Sequence, residues 1–318
     1  MLADLMRHRA IFLLLLWGVT VAVMASLSPY FLEIDTVGYL LQFVPILGLL
    51  GVGQTLIMLA GGPGIDLSVG ANLSLSGIFM GFLVVLGTNV WVAALLCVVF
   101  ASVLGLINGV LINYVGTPSL MATLATLFVY GGLALALTNG IPISGFPDSF
   151  AFLGQGQFLG LPIQFILVFI PVMLVLHLLL TRTVWGNHTY AVGNDEKAAY
   201  LLGIKVRGLR TALYTLGGAL AGIGAVLTNS WFLTARPDAG AGLELMSVTV
   251  AVMGGTHIFG GEGRIPGTVL AIMIVVTLQA GLQLANISAA WQLGVIGLLL
   301  VGSIMLNHVA SSRASRGL

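Results

Sequence analysis

Few residues in this chain are equipped for chemistry, and the first of them sits in an unusual setting. In AGGPGIDLSVGANLSLSG, residues 60–77, a single aspartate, Asp66, lies among glycines, a proline and small hydroxyl residues, with long apolar runs on both sides. Three glycines and a proline make continued helix costly, so the chain is expected to break there. Two roles are open to Asp66. As a cap, its carboxylate accepts bonds from the free amides of the next helix and complements that helix's positive end. As part of a broken or re-entrant element, Gly61, Gly62, Gly64, Asp66, Ser68 and Gly70 present bare backbone groups and a helix terminus to a translocation path.

A second glycine-rich stretch, MGGTHIFGGEGRIPG at 253–267, has the same texture, with Gly254, Gly255, Gly260 and Gly261 set before Glu262 and Arg264. The two glycine doublets lie six spans apart, so both close a span running inward, whereas an inverted repeat offset by five spans would make equivalent helices antiparallel. An internal repeat, inverted or not, is expected with its register open. The other reactive types are sparse. The five histidines are scattered without metal-ligand spacing, and no serine–histidine or paired-carboxylate arrangement argues for catalysis, so no metal, no cofactor and no enzyme are expected. The one cysteine, Cys97, lies in an apolar run and reads as a small buried hydrophobe. No G-x-x-x-x-G-K-[ST] loop occurs, so any ATP hydrolysis belongs to another chain.

Composition supplies the elements that must position these residues. Of 318 residues 58% are hydrophobic and only 7% charged, against about a quarter charged in ordinary soluble domains. Mean hydropathy is +1.11. The apolar residues fall into runs long enough to cross a hydrocarbon layer about 30 Å thick as helix, near 11–28, 40–60, 67–86, 91–112, 120–138, 163–180, 211–229, 242–258, 266–284 and 291–307. The expectation is an all-α, polytopic membrane protein of about ten transmembrane helices, a single domain over 1–318. The first run is too long for a secretory leader and reads as a retained helix. Forty-three glycines suit close helix approach. Pro171 is expected to kink the sixth span.

Ten spans put both termini on one side. With the termini cytoplasmic, Arg7, Arg9, Arg182, Lys197, Lys205, Arg207, Arg210, Arg264, Arg313 and Arg316 lie inside and only Arg236 outside, a strong positive-inside bias. Trp91, Trp231 and Trp291 then fall at outer boundaries as interfacial anchors. A net charge of +1 gives no support to nucleic-acid binding.

The longest inner loop, 181–210, holds five of the eleven basic residues. Within it, GNDEKAAYLLGIKVRG reads as a cap at Asn194 or Asp195, two turns of helix through Leu202, and Gly203 as terminator. Ala198, Leu201 and Leu202 form an apolar stripe, with Glu196, Lys197 and Lys205 in water. A helix this short is unstable alone. It either rests on lipid or the bundle's inner face, or serves as a docking knob for a cytoplasmic protein, with Ala198 and Ala199 permitting close approach. Inside the spans, Gln54, Thr55, Asn72, Asn108 and Asn113 are candidates to line a pathway, or to link helices.

Four motifs, in order, carry a resemblance. GGPGIDLSVGA (61–71), VYGGLALALTNG (129–140), YAVGNDEKAAYLLGIKV (190–206) and VMGGTHIFGGEGRIPGTVLA (252–271) closely resemble the permeases of bacterial ATP-binding-cassette sugar importers of the ribose/xylose/galactoside type, over roughly 35–305. Two departures are Lys197, where the family often has an acid before the Ala-Ala pair, and Pro63 in place of a shorter GGID. The resemblance implies an importer permease fold in the bacterial cytoplasmic membrane that pairs with a second permease copy or paralogue within the lipid. It also implies cytoplasmic ATPase subunits bound through a coupling element, here Asp195, Glu196, Lys197, Ala198, Ala199, Leu201, Leu202 and Gly203. A periplasmic or lipid-tethered binding protein supplies the monosaccharide. A secondary transporter or passive facilitator for a small polar solute is the alternative.

Overall fold

The computed structural model describes residues 2–288 apart from Pro63, with scattered positions between 291 and 302. The expected tenth span, 291–307, lies only in part within the described residues, and His308, Arg313 and Arg316 lie wholly outside them. The first half of the chain forms α1 (Leu2–Leu27), α2 (Ile34–Leu59), α3 (Val69–Val85), α4 (Val90–Val110), α5 (Ser119–Thr138) and α6 (Ala151–Gln155). The second half forms α7 (Ile170–Arg182), α8 (Val184–Asn194), α9 (Glu196–Leu201), α10 (Val206–Phe232), α11 (Leu243–Met253) and α12 (Ile265–Leu284).

Seven of the described helical segments are long and apolar enough to cross a membrane: those built on α1, α2, α4, α5, α7, α10 and α12. Two of the expected spans are shorter. Helix α3 has 17 residues, and α11 only 11, about 16 Å at 1.5 Å per residue, or half a bilayer. The run expected at 242–258 is thus a half-length helix, and the chain reaches it by a non-helical re-entrant stretch.

Helices α2 and α10 form the centre, most of their length buried, whereas α1, α5 and α7 expose apolar faces of the kind lipid covers. Glycine makes the central contacts possible. A Cβ on Gly105 of α4 would fall 2.3 Å from the Tyr214 carbonyl oxygen, and one on Gly218 of α10 2.4 Å from that of Ala101, so the two helices touch by backbone. Helix α1 docks on α12, where Trp17 Nε1 donates to Thr277 Oγ1 at 3.1 Å. Cys97 is buried on α4 and its thiol donates to the Ser76 carbonyl at 3.2 Å.

Two span ends are widened rather than regular. Pro171 has no N–H for the preceding turn, and the turn before it, Gln164–Phe169, is a π-helix. The distortion expected at Pro171 therefore takes this form. Helix α4 likewise runs on as a π-helical turn, Leu111–Val115, closed by Gly116 at φ +88°.

Non-helical backbone enters the bundle twice. Beyond α2 the chain turns back at 60–68, so that Asp66 lies level with Gln54, more than a turn up the helix it has just left. Beyond α10, at 233–242, it runs back along α3: Ala235 lies against Gly81, and Gly240 against Gly70, where the Gly240 N–H donates to Ser74 Oγ at 2.9 Å. The second stretch meets the first turn of α3, just past the first stretch, at Gly70 and Gly240, since a Cβ on either would fall within 2.3 Å of the other's carbonyl oxygen. Such backbone is tolerated at membrane depth only where protein or an aqueous cavity surrounds it.

One end of the bundle carries α8, α9 and both glycine hinges. The opposite end carries Trp91, stacked edge-on against Phe150 at 5.5 Å, and α6, seated on the end of α10 by Gly154 N–H to Ser230 Oγ (2.8 Å) and Gln155 to the Trp231 carbonyl (2.8 Å). Arg236 lies at this end too. Two bonds to Asp238, at 3.2 and 3.0 Å, hold the Asp238 carboxyl below its ordinary value, so the basic residue that departs from the charge bias is locally neutralised.

Candidate coupling site

The sequence signals around α9 translate directly into structure. Asp195, in extended conformation, caps the helix by accepting the Ala198 N–H at 3.0 Å. Gly203, at φ +85°, ends it. Six residues of helix have no stability of their own, so the surroundings must hold them. The inward contact is Ala199, 2% exposed, whereas Ala198 is exposed. The outward face is Tyr200, Leu201 and Leu202, at 71, 83 and 80% exposure. Tyr200 was absent from the sequence-derived set, because a stripe read over two turns does not separate it from its neighbours.

Helix α9 follows directly on α8, whose last turn sits in a joint in which both glycine hinges meet. Gly61 and Gly62 follow α2 at φ +69° and +67°, and Gly255, Gly260 and Gly261 follow α11 at +103°, +98° and +78°, a region costly to any residue with a Cβ. The Gly261 N–H donates to the Leu59 carbonyl at 3.0 Å, satisfying one of the free acceptors at the end of α2. A Cβ on Gly260 would lie 2.4 Å from Gly61 Cα. Gly193, in the last turn of α8, closes the group: its Cβ would fall 2.0 Å from the Leu59 oxygen and 2.4 Å from the Gly261 nitrogen. Gly254 packs on Gly267 and Thr268, so the second hinge also fixes α11 against α12.

Side chains tie the joint to the loop. The Tyr190 hydroxyl of α8 donates to the Gly263 carbonyl at 2.9 Å, and burial pushes its pKa up, keeping it a donor. Arg210, in the first turns of α10, donates from Nε to the Ala60 carbonyl at 3.1 Å and pairs with Glu196 Oε2 at 2.8 Å.

Above the first hinge lies a polar cluster. Asp66 Oδ1 accepts from Ser68 N–H at 2.8 Å and from Ser68 Oγ at 2.7 Å, and Asn108 Nδ2 donates to Ser68 Oγ at 2.7 Å. Gln54 accepts from the Asp66 N–H at 3.3 Å and, in the amide orientation that satisfies both groups, donates to the Asp66 carbonyl at 3.1 Å. All four residues are buried. Asp66 thus serves the backbone just ahead of α3, not the amides of its first turn, because the helix begins at Val69. Asp66→Ala is expected to leave the Ser68 donors without their acceptor and cost about 1–3 kcal/mol, with Asp66→Asn costing less. Thermal unfolding in detergent checks this, and equal midpoints for all three proteins would refute it.

The remaining candidates are spread out. Thr55 bonds Thr268 of α12 at 2.8 Å, and Asn72 reaches the Ala101 carbonyl of α4 at 3.1 Å, so both link helices. Asn113 bonds the Gly109 carbonyl at 2.8 Å and borders an open cavity of about 440 Å³. That cavity is walled by Gly61, Gly62, Gly64, Asn113, Ser119 and Arg210 among others, and so lies against the first hinge.

A helical bundle with re-entrant backbone and an exposed knob seated on paired hinges defines a membrane permease. Residues 36–304 match the family described as the permease component of the branched-chain amino acid transport system, and the chain belongs to that family. It is 38% identical over 296 residues, 92% of this chain and 91% of the other, to the ribose import permease protein RbsC of Bacillus subtilis. It is 32% identical to the D-allose transport system permease protein AlsC of Escherichia coli, over 92% of this chain and 90% of that one. An autoinducer 2 import system permease protein, LsrD of an Enterobacter species, is 34% identical over 92% of this chain and 90% of its own. Among solved structures, an inward-facing putative metal-chelate type ABC transporter aligns with a TM-score of 0.51 at 16% identity, covering 98% of this chain and 100% of that one. That likeness concerns the fold.

Proposed function

We propose that this chain is the membrane-spanning permease of an ATP-binding-cassette importer that carries a monosaccharide, or a comparably small polar solute, into the cytoplasm. The relatives named for ribose and allose transport support a sugar as the cargo. In this reading residues 1–318 act as one transmembrane domain that pairs with a second permease copy or a paralogue. The α8–α9 end faces the cytoplasm, where separate ATPase subunits grip α9, and a binding protein delivers solute at the opposite end. Arg182, Lys197, Lys205, Arg207, Arg210 and Arg264 cluster in and around the α8–α9 segments, which supports that orientation.

The observation that carries the reading is the seat of α9. An exposed trio, Tyr200, Leu201 and Leu202, follows directly on the end of α8, which is packed into a joint whose two hinges lead into α3 and α12. A push on α9 is therefore delivered to both re-entrant halves of the bundle. Alternating access then follows from relative movement around Gly61, Gly62, Gly64 and Gly70 on one side and Gly254, Gly255, Gly260 and Gly261 on the other. Asp66, Ser68, Gln54, Thr55, Asn72, Asn108 and Asn113 belong to the hinge or pathway region in this account.

Proteoliposomes holding the permease with its ATPase and binding protein test it against a panel of pentoses and hexoses. ATP-dependent uptake is expected from the complete assembly and from none of its parts. Uptake by the permease alone along a proton or sodium gradient would overturn the reading in favour of a secondary transporter. Labelling of Lys197 from the periplasmic side would overturn the orientation.

A further inference from the structure

Arg210 reaches three parts of the molecule with one guanidinium. Its Nη1 pairs with Glu196, the first residue of α9, at 2.8 Å, and its Nε donates to the carbonyl of Ala60, just past the end of α2, at 3.1 Å. Its plane covers Gly62, where a Cβ would come within 2.9 Å of Arg210 Cζ. The same side chain forms part of the wall of the 440 Å³ cavity, between the first hinge and Asn113. Only 14% of it is exposed, against 56% for Glu196, so the arginine is set into the joint while the glutamate rides on the moving helix.

A guanidinium is a rigid planar fork whose donors keep fixed directions relative to one another. With Glu196 and Ala60 on two of those donors, a displacement of α9 either carries the guanidinium along or breaks a charge-assisted bond. In the first case Ala60–Gly62 must follow, and left-handed glycines are the residues that can change course cheaply. A lysine, a point charge on a flexible stem, cannot hold both acceptors in one geometry. The second hinge has its own side-chain tie, Tyr190 to Gly263, whereas the contacts of Arg210 are with the first.

We infer that Arg210 is a positioning residue that transmits movement of α9 to the first glycine hinge and thereby resets the wall of the cavity beneath Asp66. The inference rests on the reading of α9 as the element gripped by the ATPase. Its test is the number of solute molecules moved per ATP hydrolysed by the complete importer, using radiolabelled ribose or whichever sugar of the panel the wild-type assembly transports. Arg210→Gln and Arg210→Lys are expected to co-purify with the ATPase at wild-type ratio while moving about tenfold less solute per ATP, the factor of one charge-assisted hydrogen bond. Glu196→Gln, an exposed substitution that leaves the Ala60 bond in place, is expected to lower the same ratio by a smaller factor. The double variant is expected to be no worse than Arg210→Gln alone, because the two residues act in series. Wild-type coupling in both Arg210→Gln and Glu196→Gln would overturn the inference. So would lost uptake that merely tracks lost complex, with solute per ATP unchanged. If the wild-type assembly itself shows no ATP-dependent uptake, the importer reading fails instead.

Discussion

Leu201→Asp combined with Leu202→Asp is expected to abolish the proposed ATP-driven uptake while the permease remains in the membrane at its normal level. The two side chains are 83 and 80% exposed, so the free permease loses no packing when they change. In a complex that buries them, each leucine contributes about 1.5–3 kcal/mol, and a buried aspartate adds a desolvation cost of its own. Losing about 3 kcal/mol or more weakens ATPase association at least about a hundredfold. Co-purification with the ATPase and uptake should fall together, and the thermal midpoint of the isolated permease should stay put. Undiminished uptake would remove α9 from the ATPase interface. Ala199, 2% exposed, is the contrasting position: a bulky residue there disturbs the seat of the helix before any partner arrives.

The second large effect is expected at Gly193. An alanine there needs a methyl 2.0 Å from the Leu59 oxygen and 2.4 Å from the Gly261 nitrogen. Both obstacles are backbone, so no rotamer change relieves them, and α8 must lift off both hinges. Overpacking of this kind costs about 1–3 kcal/mol or more. The expected result is a lower unfolding midpoint in detergent together with loss of transport. Gly132→Ala on α5 is the control, since a Cβ there meets nothing within 4 Å, and it is expected to be neutral or mildly stabilising. Equal behaviour of the two variants would mean that the joint is looser than the structure describes.

Much of this architecture was legible in the sequence because hydropathy and glycine are local signals. Seven spans follow from apolar runs, and α9 from Asp195 and Gly203, whose effects on helix ends need no distant partner. The breaks at Gly61-Gly62 and Gly254-Gly255 were equally readable. Their meeting was not. Two hinges nearly 200 residues apart touch each other and Gly193 through contacts that no spacing rule encodes. The span expected at 242–258 was too long for a related reason: the apolar content of that run averages to a span, although the helix ends at Met253 and the glycines at 254 and 255 mark where it stops. Arg210 entered the sequence argument only as one positive charge among many, and its contacts with Ala60 and Gly62 join it to an element far away in the chain. Gln54, Thr55, Asn72 and Asn108 are buried, but which polar residue would bond a helix and which would border a cavity depended on packing.

The joint beside α9 is at its centre a contact of main chains, in which Gly61, Gly193 and Gly260 each face backbone atoms. Side-chain contacts can be repaired by trading a large residue for a small one on the facing surface, but here the facing surface has nothing left to shorten. Second-site suppressors of a lesion at Gly193 therefore have to arise outside the joint, by loosening the elements that press it together. Across diverging members of such a lineage, these glycines can only persist or be replaced along with a redesign of the whole inner end.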